Sequence, residues 1–259
     1  MADPPHSPGY TSDEIMSVVA ARQLQDGDVC FVGIGLPSEA ANLARLSHAP
    51  NVVLIYESGT IGTRPEVLPL SIGDGELAEK ADLVVGMPEV FNYWLQAGRV
   101  DVGFLSAAQI DRFGNLNSTV VGPYEVPGVR LPGAGGAPEI ASGAGRLIVL
   151  LRQTKRSFVP EVDFVTSVGF GRDGRGRSEL WGAGPAIVIT DLGVLTPDPR
   201  SNELRLTAVH PGVELDQVRE ATGWDLDIEA DLATTGPPTT IELDVLRSLK
   251  IRTETAHSR

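Results

Sequence analysis

The stretch Asn51-Val52-Val53-Leu54-Ile55-Tyr56-Glu57-Ser58-Gly59-Thr60-Ile61-Gly62 carries the reading of the fold. Val52 to Ile55 are apolar and mostly β-branched, and Tyr56 follows, which is the pattern of a strand buried on both faces. The run ends at Glu57, with Gly59 and Gly62 behind it. Open α/β sheets bind ligands beyond the carboxyl ends of such strands, and glycine there lets another molecule approach the backbone. Glu57 is therefore a candidate functional carboxylate. The same position also suits a residue that only accepts hydrogen bonds from the loop after the strand.

On the N-terminal side, Thr11 followed three residues later by Glu14 reads as a capping box. Ile15, Val18, Val19 and Leu24 then recur at helical spacing, predicting a helix over about 12–24. Asp26-Gly27-Asp28 is a turn, and Val29 to Val32 make a strand that enters Gly33-Ile34-Gly35-Leu36-Pro37-Ser38. Ser38 suits the N-cap of a helix through about Leu46. A strand, a Gly-x-Gly turn and a helix start resemble a phosphate cradle. The third glycine of the dinucleotide fingerprint is Ser38 here, which weakens an oxidoreductase reading, and a tight turn without ligand fits as well.

Beyond the central stretch, residues 64–75 are too rich in Pro and Gly for a regular element. A strand is predicted over 81–85, an aromatic-faced helix over 89–96 closed by Gly98, and a strand over 100–105. Residues 109–117 are polar and turn-prone, and 127–138 form a Gly- and Pro-rich loop after Arg130. Further strands are expected at about 147–151, 163–168, 186–190 and 204–209, around a Gly/Arg-rich segment at 170–184. Without helices between them they suggest an antiparallel annex. Residues 214–222 read as a helix, and Thr239 with Glu242 caps a last one to about Lys250. No repeat or linker is visible, so the chain reads as one domain over 11–250, with a short disordered lead at 1–10 and a mobile tail at 251–259.

Composition narrows the classes. The chain has 259 residues, 42% hydrophobic and 21% charged, as in ordinary globular proteins. Its 34 acidic against 21 basic side chains give a net charge of −13, which argues against a nucleic-acid surface. No apolar run approaches the ~20 residues of a membrane span. The opening MADPPHSPGY has neither a basic n-region nor an apolar h-region, so it does not read as a secretory signal. A single cysteine, Cys30, sits in an apolar run that suits core packing and a reducing cytoplasm. No metal-ligand spacing is visible. His48 and His210 read as surface or structural histidines.

Four ordered motifs carry a family resemblance: Val-Gly-Ile-Gly-Leu-Pro at 32–37, Tyr-Glu-Ser-Gly-Thr-Ile-Gly at 56–62, Gln-Ile-Asp-Arg-Phe-Gly-Asn-Leu-Asn at 109–117 and Leu-Pro-Gly-Ala-Gly-Gly-Ala-Pro-Glu-Ile at 131–140. In this order they resemble the β subunits of family I CoA-transferases, from about residue 11 to 250. Residues 68–79 and 205–213 look closest to the 3-oxoadipate branch, built on the glutaconate CoA-transferase pattern. Many members carry Ser-Glu-Asn-Gly where this chain has Tyr56-Glu57-Ser58-Gly59. The glutamate is kept while its neighbours differ, which speaks against the ring-hydrolysing and decarboxylating relatives that lose it.

The resemblance implies an α/β fold: an open, mostly parallel sheet with helices on both faces plus an antiparallel annex, the architecture shared with sugar-phosphate isomerases. It implies Glu57 as the nucleophile, with CoA as a thioester substrate and no tightly bound cofactor. Gly135, Gly136, Asn115 and Asn117 are then candidate oxyanion donors, and Gly33, Gly35 and Lys155 candidate CoA contacts. Arg64, Arg112 and Arg130 are unranked candidates for a substrate carboxylate, which arginine can clamp bidentately. The implied partner is a separate α subunit, in an α2β2 assembly. Two rival readings keep the fold: hydrolysis of a thioester or ring, and a non-catalytic ligand-sensing module.

Overall fold

The computed structural model describes residues 9–258. The contacts of the chain divide it into two compact units, one containing residues up to Phe104 together with Pro237 onward, the other Leu105–Gly236. Most of the disordered lead read at 1–10 lies outside the described residues.

In the first unit, α1 (Ser12–Ala21) starts on the predicted capping box: Glu14 N donates to Thr11 Oγ1 at 3.2 Å and Thr11 N to the Glu14 carboxylate at 2.8 Å. After β1 (Val29–Phe31) comes α2 (Leu36–Arg45), which packs against α1. The alanines Ala20, Ala21, Ala40, Ala41 and Ala44 are all buried, and small side chains let the two helices approach closely. β2 (Val53–Ile55) and β3 (Thr60–Ile61) follow, then α3 (Gly75–Glu79), β4 (Leu83–Val84), α4 (Met87–Glu89), a π-helical turn over Val90–Leu95, and β5 (Val102–Leu105). The strands lie in the order β5-β1-β2-β3-β4. β5, β1 and β2 are parallel, and β3 and β4 are added antiparallel. The last helix of the chain returns to this unit and is tied to α1 by two ion pairs, Arg22–Glu242 at 2.7 Å and Arg247–Glu14 at 2.6 Å.

The second unit opens with two hairpins, β6 (Gln109–Ile110) with β7 (Leu116–Asn117), and β8 (Val120–Val121) with β9 (Val129–Arg130). α5 (Ala137–Gly143) leads to β10 (Arg146–Leu150), β11 (Pro185–Ile189), β12 (Gly193–Pro197) and β13 (Leu204–Val209), then α6 (Leu215–Ala221) and β14 (Ile228–Thr234). These five strands lie in that order, parallel at both ends and antiparallel through β12. The final helix, α7 (Thr240–His257), begins on the predicted Thr239–Glu242 capping box.

The α/β expectation, with parallel strands and an antiparallel annex, holds. Several local expectations do not. Ser38 is not an N-cap: the helix starts earlier, with Gly35 at the cap and Pro37 within the first turn, and the Ser38 side chain is buried. The helix over 89–96 is mostly a π turn, in which Gln96 N bonds to Phe91 O. Residues 163–168 form no strand; Ser167 makes an isolated bridge to Leu116. α7 continues to His257, so residues 251–257 are helical rather than a tail.

Candidate active site

β2 delivers Glu57 to the tip of a tight hairpin. Gly59 N donates to Tyr56 O and Tyr56 N to Thr60 O, each at 3.0 Å, so Glu57 and Ser58 occupy the two central positions of the turn. Gly59 adopts φ +109°, and a Cβ there would lie 2.0 Å from the Val85 carbonyl oxygen. Only glycine satisfies both conditions, because L side chains avoid that conformation. Glu57 is half-buried, and no hydrogen bond or ion pair among the described residues engages its carboxylate. The rival reading of a carboxylate spent on its own loop is therefore not what the turn displays. The hydroxyls of Ser58 and Thr60 on either side of Gly59 are also buried without a partner.

Tyr56 anchors the turn that carries Glu57. Its ring is fully buried, and its hydroxyl lies 2.9 Å from Ser38 Oγ on α2. Burial pushes the phenol up to about 12. Asn42 Nδ2 donates to Ser38 O at 2.9 Å, and Arg45 donates to Asn42 Oδ1 and to Pro65 O. This buried chain was not legible in the sequence, where Ser38 reads as a cap and Tyr56 as a strand residue.

β1 and β2 are in register at Phe31 and Ile55, and Val32 N donates to Ile55 O at 2.9 Å. Gly33 and Glu57 each follow two residues later, so both leave the sheet at its carboxyl end. Gly35 has φ +80° with open space where a Cβ would stand. Arg64, the fourth candidate of this unit, is already engaged: it grips Asp82 bidentately at 2.8 and 3.0 Å on the surface.

The second unit carries the remaining candidates. Gly135 (φ +50°) and Gly136 precede α5; Gly136 is buried, and neither N–H finds a partner among the described residues. Gly135 is exposed, so burial distinguishes Gly136 alone; an N–H without an internal partner is the feature an oxyanion site requires.

Asn115 and Asn117 do not share it, because their side-chain amides are already engaged. Asn115 Nδ2 donates to Asp111 at 2.9 Å and to Gly171 O at 2.9 Å, and its Oδ1 accepts from Gly169 N. Asn117 Nδ2 donates to Gln109 Oε1 and Val120 O, each at 2.7 Å. Both residues are buried, and both amide hydrogens are spent on holding the loops. Asp111, raised by burial against the opposing pull of Asn115 and backbone amides, organises the same loop.

Arg112 stacks over Phe113, 5.2 Å from the ring centre, and lines a cavity of about 280 Å³ with Asp111, Pro160, Glu161 and Arg172. Its contact with Glu203, at 3.8 Å, is loose. Arg130 lies over the Tyr124 ring at 5.1 Å on exposed β9. Lys155 is exposed and free of partners among the described residues.

Arg177, which no sequence motif singles out, is among the most heavily used side chains of this unit. Its guanidinium donates to Gly182 O at 2.9 Å, Val168 O at 3.1 Å, Gly169 O at 3.0 Å and Ala141 O at 2.7 Å. The available signal was its setting between glycines: Cβ atoms at Gly182 and Gly184 would lie 3.1 Å from its Nη2 and 2.7 Å from its Cδ.

No group of three or more His, Cys, Asp or Glu side chains suited to a metal occurs among the described residues, and no described helix is long and apolar enough to cross a membrane.

Residues 14–221 match the family model for coenzyme A transferase. The chain is 57% identical to the β-type chain of 3-oxoadipate CoA-transferase from Pseudomonas knackmussii over 252 residues, covering 96% of this chain and 97% of that one. Its structure is similar to that of glutaconate coenzyme A-transferase from Acidaminococcus fermentans, with a TM-score of 0.86 and 33% identity over 93% of this chain and 95% of that one. It is also similar to the decarboxylase AibA/AibB, with a TM-score of 0.82 and 26% identity over 96% and 98%.

Proposed function

The chain belongs to the coenzyme A transferase family, and from that membership we propose that it is the β subunit of an enzyme moving CoA from succinyl-CoA to 3-oxoadipate. Identity of 57% to the corresponding 3-oxoadipate CoA-transferase chain, across nearly its whole length, supports that acceptor over glutaconate or another short dicarboxylate. The observation that carries the chemistry is the Glu57 carboxylate, held at the tip of a rigid turn and used by nothing around it.

A carboxylate so placed can divide the exchange into two easier halves. Glu57 attacks the carbonyl of the acyl-CoA, the CoA thiolate leaves, and a mixed anhydride forms. The thiolate then attacks the Glu57 carbonyl carbon, releasing the first acid as its carboxylate and leaving a glutamyl-CoA thioester. The incoming acid attacks that thioester and expels the thiolate. The thiolate attacks the acyl carbon of the new anhydride, which frees Glu57 and yields the new acyl-CoA. No proton is gained or lost across the cycle, and no resident cofactor is required. Binding of the long CoA chain, remote from the reacting carbon, supplies much of the driving force. Gly33 and Gly35 are the contacts we assign to it, with Lys155 for a phosphate.

The negative charge that develops at each tetrahedral carbon needs N–H donors. We assign these to Gly135 and Gly136, whose amides are unpaired within their own unit. Arg112 and Arg130 are the arginines left for a substrate carboxylate, since Arg64 is committed to Asp82. The partner is an α subunit, in an α2β2 assembly acting in the cytoplasm.

Incubating the assembled complex with succinyl-CoA and no acceptor tests this reading. A covalent CoA adduct on Glu57, discharged by hydroxylamine and absent from Glu57→Gln, is expected. Steady release of succinate without an adduct would identify a hydrolase instead. Full turnover by this chain alone would remove the α subunit from the proposal.

A further inference from the structure

We propose that Arg177 is a positioning residue for the Gly135–Gly136 turn, acting through α5 and through the strap at residues 168–169. The inference rests on the assignment of those two glycine amides as oxyanion donors.

Arg177 is half-buried and donates four hydrogen bonds to main-chain carbonyls, with no carboxylate partner among the described residues. Burial alone pulls its guanidinium downward from the usual arginine range. A partly buried cation without a counter-charge pays a desolvation cost, which its four hydrogen bonds offset at the same time as they fix its geometry. The four acceptors come from three separate pieces of chain. Ala141 O belongs to the last turn of α5, where carbonyls lack helical partners and a cation is electrostatically favoured. Val168 O and Gly169 O belong to the strap. Gly182 O belongs to the chain leading into β11, and Gly182 N in turn donates to Ser142 O on α5 at 2.9 Å.

α5 has only seven residues, a rigid rod roughly 10 Å long. Fixing its carboxyl end fixes the place and direction of its amino end, which is Gly136. The strap reaches the neighbouring loop by the same logic. Gly169 gives its carbonyl to Arg177 and its N–H to Asn115 Oδ1, so one residue links the guanidinium to the Asp111–Asn115 turn. Lysine cannot substitute, because three donors on one point do not span four separated carbonyls. The glycines at 182 and 184 leave the space this side chain fills, since a Cβ at either would lie 3.1 Å from its Nη2 or 2.7 Å from its Cδ.

The test is a double-mutant cycle on the complex with its partner subunit, using Arg177→Lys and Gly136→Pro. Proline at 136 removes one N–H that has no partner, at a φ of −84° near proline's own. We expect each single variant to lower kcat about 10²-fold, as loss or ~1 Å misplacement of an oxyanion donor does. KM for the acyl-CoA should change less than about threefold. The double variant should lose less than the product of the two single losses, because the absent Gly136 donor can no longer be misplaced and only that of Gly135 remains to be.

Multiplying losses would overturn the proposal while leaving the donor assignment intact, as would an Arg177→Lys enzyme with unchanged kcat. Full activity in Gly136→Pro would overturn the donor assignment, and the proposal with it. Circular dichroism and thermal melts accompany each variant. Should Arg177→Lys not fold, Arg177→Ala assayed with added guanidinium ion replaces it: recovery of kcat supports positioning. Recovery of folded protein without recovery of kcat per folded molecule overturns it.

Discussion

The hydroxyls of Tyr56 and Ser38 are 2.9 Å apart in a fully buried setting, which joins the residue before Glu57 to the first turn of α2. Asn42 completes the serine's hydrogen bonding from one turn further along the helix. The turn that carries Glu57 and the loop that carries Gly33 and Gly35 are thereby held as one piece. Tyr56→Phe should cost about 1–2 kcal/mol for the orphaned serine. That lowers the melting temperature by roughly 2–6 °C. Alkaline unfolding gives a second readout. With the folded phenol near 12 and the unfolded one near its ordinary 10, wild-type stability falls as pH rises from about 10 towards 12. The phenylalanine variant should lack that decline.

The Glu57 carboxylate makes no hydrogen bond among the described residues, so its replacement should leave the fold untouched. Glu57→Gln is expected to melt within about 1 °C of wild type while losing at least ~10³-fold in transfer activity, having lost its nucleophile. Glu57→Asp withdraws the carboxylate by one methylene and should cost about 10²-fold through misplacement. Calorimetry beside exchange kinetics separates the two effects, and a large drop in stability for Glu57→Gln would contradict the reading.

Two glycines near the site should respond very differently to alanine. Gly59 combines φ +109° with a backbone oxygen 2.0 Å from the added carbon, whereas Gly35 has φ +80° and open space. Gly59→Ala is predicted to cost on the order of 4 kcal/mol. Gly35→Ala should cost only the backbone strain of φ +80° and ψ −135°, a region L residues avoid, about 1–3 kcal/mol. Urea unfolding of both variants gives the comparison.

Acid should loosen the clasp between α1 and α7. Burial would raise the Glu242 carboxyl, but Arg22 and the Thr239 amide and hydroxyl outweigh it and hold it at about 2. A depressed folded value means the contribution is present above the unfolded 4.5 and disappears as pH falls from there through about 2. Glu242→Gln should therefore be less stable than wild type at neutral pH, with the gap closing in that acid window.

Much of this was legible because burial writes itself into composition. Val52 to Ile55 and Val29 to Phe31 read as strands since both faces are covered, and Glu57 stood out as the charge ending such a run. Thr11 and Thr239 announced their helices by reciprocal capping. What failed has physical causes. The π turn at Val90–Leu95 was read as an α-helix because both ladders gather aromatic residues on one face. β12 was missed because it is bounded by glycine and proline, and β14 because its largely exposed residues show no alternation. Asn115 and Asn117 looked like donors because sequence shows which groups can donate, not which hydrogens are already taken. Arg177 was invisible for the converse reason: its partners are carbonyls, which every residue possesses.

The first unit is not a continuous piece of chain: it is left at Phe104 and resumed at Pro237. During synthesis, α1 therefore emerges without the helix that Arg22 and Glu14 grip. At ordinary translation rates, roughly ten seconds or more pass before residue 257 appears. For that interval the nascent protein has all of its central segment and only part of the unit that carries Glu57, which is the form a ribosome-associated chaperone would meet.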